Sequence, residues 1–187
     1  MEELRVRRIR DDEAPLLREV RLRALADAPE AFGQTVAEAA SRSDDEWRQQ
    51  ARQSAAGDRR AWFLAEVWSA AAESRLVGIV NGRRRPPEDL LVFSMWVDPQ
   101  LRRLGIGRRL IDAIDAWGHA WDARRTVLWV FAANESAIRF YRSLGFDVES
   151  EGPDGEIGRS YGALAMSRAT SPGEHAEPTP AEDAAPG

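Results

Sequence analysis

A turn carrying two glycines lies between a β-rich run and a long amphipathic helix, and no other segment restricts the fold as tightly. Residues 94–114 read SMWVDPQLRRLGIGRRLIDAI. Pro99 closes the run at 90–97, because proline cannot continue a central ladder. Leu110, Ile111, Ile114, Trp117 and Trp121 then fall on one face of a helix predicted over 105–122. A helix N-terminus offers unpaired N–H groups and the positive end of a dipole. Gly105 and Gly107 let a ligand approach the backbone, so the turn reads as an anion site suited to a diphosphate. Arg102, Arg103, Arg108 and Arg109 add positive charge beside it.

The dinucleotide-binding alternative needs a third glycine and an acid ending the next strand. Here Leu110 takes the third position and the next strand ends in Phe131-Ala132. No G-K-[ST] follows, which excludes a P-loop. A plain helix-start turn remains the bland reading of the glycine pair.

Along the rest of the chain, strands are predicted at 4–9, 61–68, 75–81, 90–97, 126–131, 146–149 and 161–166. Helices are predicted after Asp11 and Asp12, which look like acidic caps with Pro15 in the first turn, and after Ser43. A further helix starts at Asn134, an expected N-cap, and stops at Gly145. The charged, proline-containing segment 83–89 reads as a loop. Strands and helices alternate through the second half, which makes the fold class α/β with a mixed central sheet flanked by helices. The chain divides into a domain over 1–168 and a disordered acidic Pro/Ala-rich tail over 169–187.

Composition removes several classes of function. Hydrophobic residues are 43% of the 187, enough for a core. The net charge is −5, and Glu174, Glu177, Glu182 and Asp183 of the tail carry most of it. The remaining body is nearly neutral and makes no electrostatic case for nucleic acid. With no cysteine there is no disulfide, no Cys-ligated zinc and no thiol nucleophile, which fits a cytoplasmic protein. His119 and His175 are far apart and form no metal motif. No apolar run suits a membrane span or a signal peptide.

The order SMWVDP, then Arg102-x-x-Gly105-x-Gly107, then Asn134-x-x-Ala137-x-x-x-Tyr141-x-x-Leu144-Gly145-Phe146 resembles the GNAT superfamily of N-acetyltransferases. The likeness runs from about residue 4 to 166, and its specific part covers 90–146. The segment DAPEAFGQT, followed by Trp47, is similar to an acceptor-side region of bacterial members. The resemblance implies a sheet splayed at two parallel strands, 90–97 and 126–131, with acetyl-coenzyme A as co-substrate in the cleft and no metal. It implies that the pantetheine arm pairs with Met95, Trp96 and Val97. It places the pyrophosphate on the turn formed by Arg102, Arg103, Leu104, Gly105, Ile106, Gly107 and Arg108. Asn134 matches a cofactor contact and Tyr141 the residue that protonates the departing thiolate. As bland readings, Asn134 is a plain cap and Tyr141 a packed core residue.

The implied activity is acetyl transfer to a primary amine, of a small molecule or a protein, by direct attack in a ternary complex. A homodimer is one expected state, since many relatives are dimers. Many members carry a glutamate base on a cleft strand, but the matching positions here are Leu91 and Trp129. Glu30, Glu66, Glu88 and Asp89 are the remaining candidates, and the base stays unassigned. That gap motivates the alternative of a non-enzymatic acyl-coenzyme A-binding sensor or accessory module. A third reading, a nucleotide-binding α/β protein, requires binding of ADP or NAD in place of coenzyme A.

Overall fold

The computed structural model describes residues 3–69, 73–149 and 162–170. Strands β1 (Glu3–Arg8), β2 (Arg60–Trp68), β3 (Ser74–Arg85), β4 (Asp89–Val97), β5 (Arg125–Phe131), β6 (Asp147–Val148) and β7 (Ala163–Ala169) form one sheet in the order β1-β2-β3-β4-β5-β7-β6. Every neighbouring pair is antiparallel except β4 and β5, which run parallel. Among the described residues five α-helices pack on the sheet: α1 (Ala14–Asp27), α2 (Val36–Ala40), α3 (Asp44–Ala55), α4 (Ile106–His119) and α5 (Glu135–Ser143). The expected mixed α/β sheet is present, and its helices cover both faces.

Two cores lie on opposite faces of the sheet. On one face Leu110, Ile111 and Ile114 of α4, all fully buried, pack with Val80, Leu90 and Leu128. This is the apolar stripe of the sequence. Burial of each such side chain is worth about 1.5–3 kcal/mol against leaving it exposed. On the other face Leu17, Val20 and Leu25 of α1 and Trp47 of α3 pack with Trp62, Leu64, Ile79 and Trp96.

Several elements differ from the sequence reading. Residues 83–89 are not an open loop: β3 continues through Arg85, β4 starts at Asp89, and these two residues face each other across a hairpin. The charges that suggest a loop are satisfied in place. Arg85 pairs with Asp89 at 2.6 Å, and Arg125 reaches the same carboxylate at 3.0 Å. The acidic caps Asp11 and Asp12 do not cap α1. Glu13 stands at its N-cap and makes no side-chain cap bond. Helix α2 was not anticipated, although Thr35 and Glu38 form a reciprocal capping box at its start. Ser43 and Glu46 do the same for α3, as its serine and acids suggest. Helix α4 is shorter at both ends than 105–122. The last two strands are Asp147–Val148 and Ala163–Ala169, offset from 146–149 and 161–166. Tyr161 and the tail from 171 onward lie outside the described residues.

Glu13 serves a different purpose from capping. Its carboxylate takes two bonds of 2.7 Å from Arg7, and Arg7 also contacts Glu66. Both glutamates are 4% exposed. Burial pushes the Glu13 carboxyl up, but Arg7 and the Arg10 backbone N–H outweigh it and hold the group below the usual carboxylate range. A depressed carboxylate gives stability that is present above its unfolded pKa, about 4.3, and lost as pH falls through the folded value. Arg7→Met removes the guanidinium shared by two buried carboxylates, leaving Glu13 to Arg10 and Glu66 to the Trp68 indole N–H. It is expected to cost about 3 kcal/mol in urea unfolding at neutral pH and to move the acid-unfolding midpoint upward. A loss below about 0.5 kcal/mol would mean that water already screens the network.

Candidate active site

The parallel pair β4–β5 is hydrogen-bonded only from Asp89↔Arg125 to Val92↔Leu128. Beyond that point the strands part, while β4 remains paired to β3 and β5 to β7. Phe93 and Trp129 stack at 5.6 Å where the pairing ends. Ser94 next to it has φ of 55°, and the β3–β4 register slips between Ile79 and Asn81. A bulge therefore bends β4 as it leaves β5. The edges at 95–97 and 129–131 are not paired with each other as they would be in a closed sheet; the Val97 carbonyl accepts from Arg102 and the Phe131 carbonyl from the Asn134 N–H.

A cleft of about 870 Å³ opens at this splay. Met95, Trp96 and Val97 line one wall, and Arg102, Arg103, Gly105, Ile106, Gly107 and Arg108 line the next. Asn134 and Tyr141 complete it from α5. Of the cofactor-binding and catalytic residues that the resemblance implies, all line this one cavity except Leu104, which is 67% exposed and lies outside the lining.

The turn at the base of α4 has the backbone that its glycines suggest. Gly105 is the N-cap in the left-handed region, with φ of 80°, which an L side chain adopts only at a cost. Arg103 is also left-handed, at 68°. The first bond of the helix at this end runs from the Arg109 N–H to the Gly105 carbonyl at 3.1 Å, so the N–H groups before Arg109 have no intrahelical acceptor. Gly107 has another role. A Cβ there would lie 3.0 Å from the Phe140 ring and 3.3 Å from Met95 Cε. The missing side chain lets α5 close on α4.

Arg102 does not offer its guanidinium freely. Its Nε donates to the Val97 carbonyl at 3.0 Å and an Nη to Asp27. Asp27 also accepts from Trp96 Nε1 at 2.9 Å. This clamp ties the end of α1 to the end of β4. Asn134 caps α5 by accepting from the Ala137 N–H at 3.1 Å, and its Oδ1 also receives the Ser136 hydroxyl. Its amide NH2 group makes no bond among the described residues. Tyr141 is both core and cleft: 7% exposed, in ring contact with Phe140 and Phe146. Burial pushes its phenol well above the ordinary tyrosine value, so the O–H is retained through neutral and mildly basic pH.

The four candidate bases separate cleanly. Glu66 pairs with Arg7, Glu88 with Arg124 at 3.0 Å, and Asp89 with Arg85 and Arg125. None of these three lines the cleft, whereas Glu30 does, beside Ala31 and Phe32 in the connection between α1 and α2. Phe32 and Phe140 carry no motif of their own. Only the similarity of DAPEAFGQT to an acceptor-side region pointed toward Phe32.

A family model described as "Acetyltransferase (GNAT) family" matches residues 28–146. The chain belongs to the GNAT family. A mycothiol acetyltransferase of Propionibacterium freudenreichii subsp. shermanii is 29% identical over 149 residues, 80% of this chain and 45% of that protein. One from Thermobispora bispora is 32% identical over 143 residues, covering 73% and 43%. The chain thus spans a little under half the length of these relatives. A GNAT-family acetyltransferase structure from Streptococcus pneumoniae superposes with a TM-score of 0.71 at 19% identity, covering 90% of this chain and all of that one (100%). A Staphylococcus aureus GNAT-family structure gives 0.69 at 16% identity, covering 90% and 100%. These two likenesses establish the shared fold.

GNAT acetyltransferases use acetyl-coenzyme A, and the residues present fit such a ligand. A left-handed glycine cap, unpaired N–H groups and two lining arginines, Arg103 and Arg108, suit a diphosphate. The parted edge of β4 suits an amide-bearing arm. Gly107→Glu places a carboxylate at that cap, with its Cβ meeting only the tips of Phe140 and Met95. It is expected to weaken coenzyme A binding by at least about 100-fold in calorimetry while far-UV dichroism stays native. Unchanged affinity would put the diphosphate elsewhere.

Proposed function

We propose that the chain transfers an acetyl group from acetyl-coenzyme A to a primary amine by direct attack in a ternary complex. One observation carries the reading. The strand splay, the α4 cap, Tyr141 and, among the described residues, a single candidate carboxylate, Glu30, share one cleft. Bound acetyl-coenzyme A supplies the thioester carbonyl. Residues 103–108 would hold its diphosphate, and the edge at 95–97 would align its arm. Asn134, with its carbonyl committed to the cap, offers its amide N–H groups to that arm.

Glu30 would accept the proton that the amine loses as the new C–N bond forms, directly or through water. Tyr141 would donate its O–H to the sulfur as the C–S bond breaks. With no cysteine in the chain, no cysteine-bound acyl intermediate can form. The acceptor class that best fits the cleft is a small amine, and the names of the mycothiol acetyltransferases are compatible with that.

Glu30→Gln is expected to lower kcat/KM by about 100-fold or more in a thiol-release assay, with coenzyme A affinity within about twofold. Tyr141→Phe should lower kcat by about 10-fold or more at unchanged coenzyme A affinity. Because burial raises the phenol, the wild-type rate should show no descending limb below about pH 10. A limb at lower pH that Tyr141→Phe removes would contradict the assignment. Where they part, the cleft strands carry the Phe93–Trp129 stack, and their one acid, Asp89, is tied to Arg85 and Arg125, which favours a coenzyme A-binding module as the second reading. Tight binding with no turnover across an amine panel would decide for it.

A further inference from the structure

On the sheet face that carries α1 and α3, beside the cleft, several arginines have no acid to meet them. Arg21 of α1 is 7% exposed, and its guanidinium lies 4.7 Å from the ring of Phe32, a cleft residue. One Nη donates to Gln34 Oε1 at 3.3 Å, while the other is buried with no partner among the described residues. Arg83 of β3 lies 4.9 Å from the ring of Phe93, which stacks on Trp129 where β4 and β5 part. Its Nε donates only to Asn81 Oδ1, at 3.2 Å. Arg42 stands between them. It donates to Gln50, lies over Trp47, and its charge bears on both Arg21 and Arg83. Burial, and then Arg42, pushes the Arg21 guanidinium down to about 10, so it still carries its charge at neutral pH.

Several other arginines among the described residues meet acids, and part-buried Arg8 is held instead by the carbonyls of Ser54, Gly57 and Arg60. Arg7 meets Glu13 and Glu66, Arg125 meets Asp89 and Glu149, and Arg168 meets Asp115. A buried guanidinium without an anion is costly, and Leu or Met fills such a site better. Arg21 is such a guanidinium; with half-buried Arg42 and exposed Arg83 near it, no carboxylate among them, and Phe32 linking Arg21 to the cleft lining, the cluster makes an anion site. We propose that Arg21, Arg42 and Arg83 bind an oxyanion, carboxylate or phosphate, carried by the amine that Glu30 and Tyr141 serve. The proposal rests on the acetyl-transfer reading. It narrows the acceptor to a small zwitterionic amine, with Phe32 and the Phe93–Trp129 stack beside its apolar part.

Two matched pairs test it: phenylalanine against phenylalaninamide, and phosphoethanolamine against ethanolamine. With saturating acetyl-coenzyme A, the charged member of one pair should have a kcat/KM at least about tenfold higher, mainly through KM. Which pair responds tells carboxylate from phosphate. Arg21→Leu and, separately, Arg83→Gln should shrink that preference to within about twofold. Arg21→Leu should also raise Tm, whereas a merely structural arginine would lower it on removal. Acetylation with no preference in either pair overturns the anion site and leaves acetyl transfer standing. If no amine is acetylated, the transfer reading fails, and calorimetry on the coenzyme A-saturated protein decides the anion site. N-acetylphenylalanine and inorganic phosphate should then bind, and N-acetylphenylalaninamide should bind at least about tenfold more weakly. Equal or absent binding overturns it.

Discussion

Parallel hydrogen bonding between β4 and β5 ends at Val92 and Leu128, and the rest of the site follows from that interruption. Had the ladder continued, 95–97 and 129–131 would be paired with each other in a closed sheet. The bulge at Ser94 turns β4 away from β5, and the ring stack of Phe93 on Trp129 marks the last contact before the strands part. The stack is worth about 0.5–1.5 kcal/mol beyond the area it buries. The helix N-terminus of α4 and the cap of α5 then face the same opening, because each follows one of the two parted strands. A strand edge, two helix starts and a buried phenol are thereby gathered in one cleft.

Much of the donor side was legible in the sequence because it depends on local backbone rules. Gly105 needs a left-handed φ, Asn134 needs to cap, and the 3.6-residue stripe of α4 needs a face to bury. Those requirements are written in consecutive residues. The acceptor side depends on pairings between distant residues. Nothing local says that Glu66 belongs to Arg7, or that Asp89 belongs to Arg85 and Arg125, and so that Glu30 is the acid left to the cleft. The segment 83–89 was misread for the same reason. Charge and proline suggested a solvated loop, while tertiary ion pairs stabilise a hairpin there. Glu13, beside the expected caps Asp11 and Asp12, closes a buried network for the same reason.

Charge in this chain is segregated rather than scarce. The described body carries many arginines, and most of those in ion pairs hold one element to another: Arg102 joins β4 to α1, Arg125 joins β5 to β4, and Arg168 joins β7 to α4. Among the arginines outside this lattice, which also include Arg8, Arg60 and Arg109, two groups bear on the proposed ligands. Arg103 and Arg108 sit at the α4 cap, and Arg21, Arg42 and Arg83 sit on the opposite sheet face. Each lies where a ligand anion would complete it. In the proposed reaction the first would meet the diphosphate of the donor and the second an acidic group on the acceptor, with Glu30 of the cleft lining taking the proton of the amine. Counting residues in the sequence cannot separate these arginines from those that hold the fold together.

Backbone amide hydrogen exchange with and without coenzyme A tests the central assignment most directly, because it reads the N–H groups on which the account rests. The account predicts that added coenzyme A slows exchange at 103–108 and 95–97, with the α1 and α3 face little changed. Saturating coenzyme A that leaves those amides unprotected, or protects a different edge of the sheet, would contradict it.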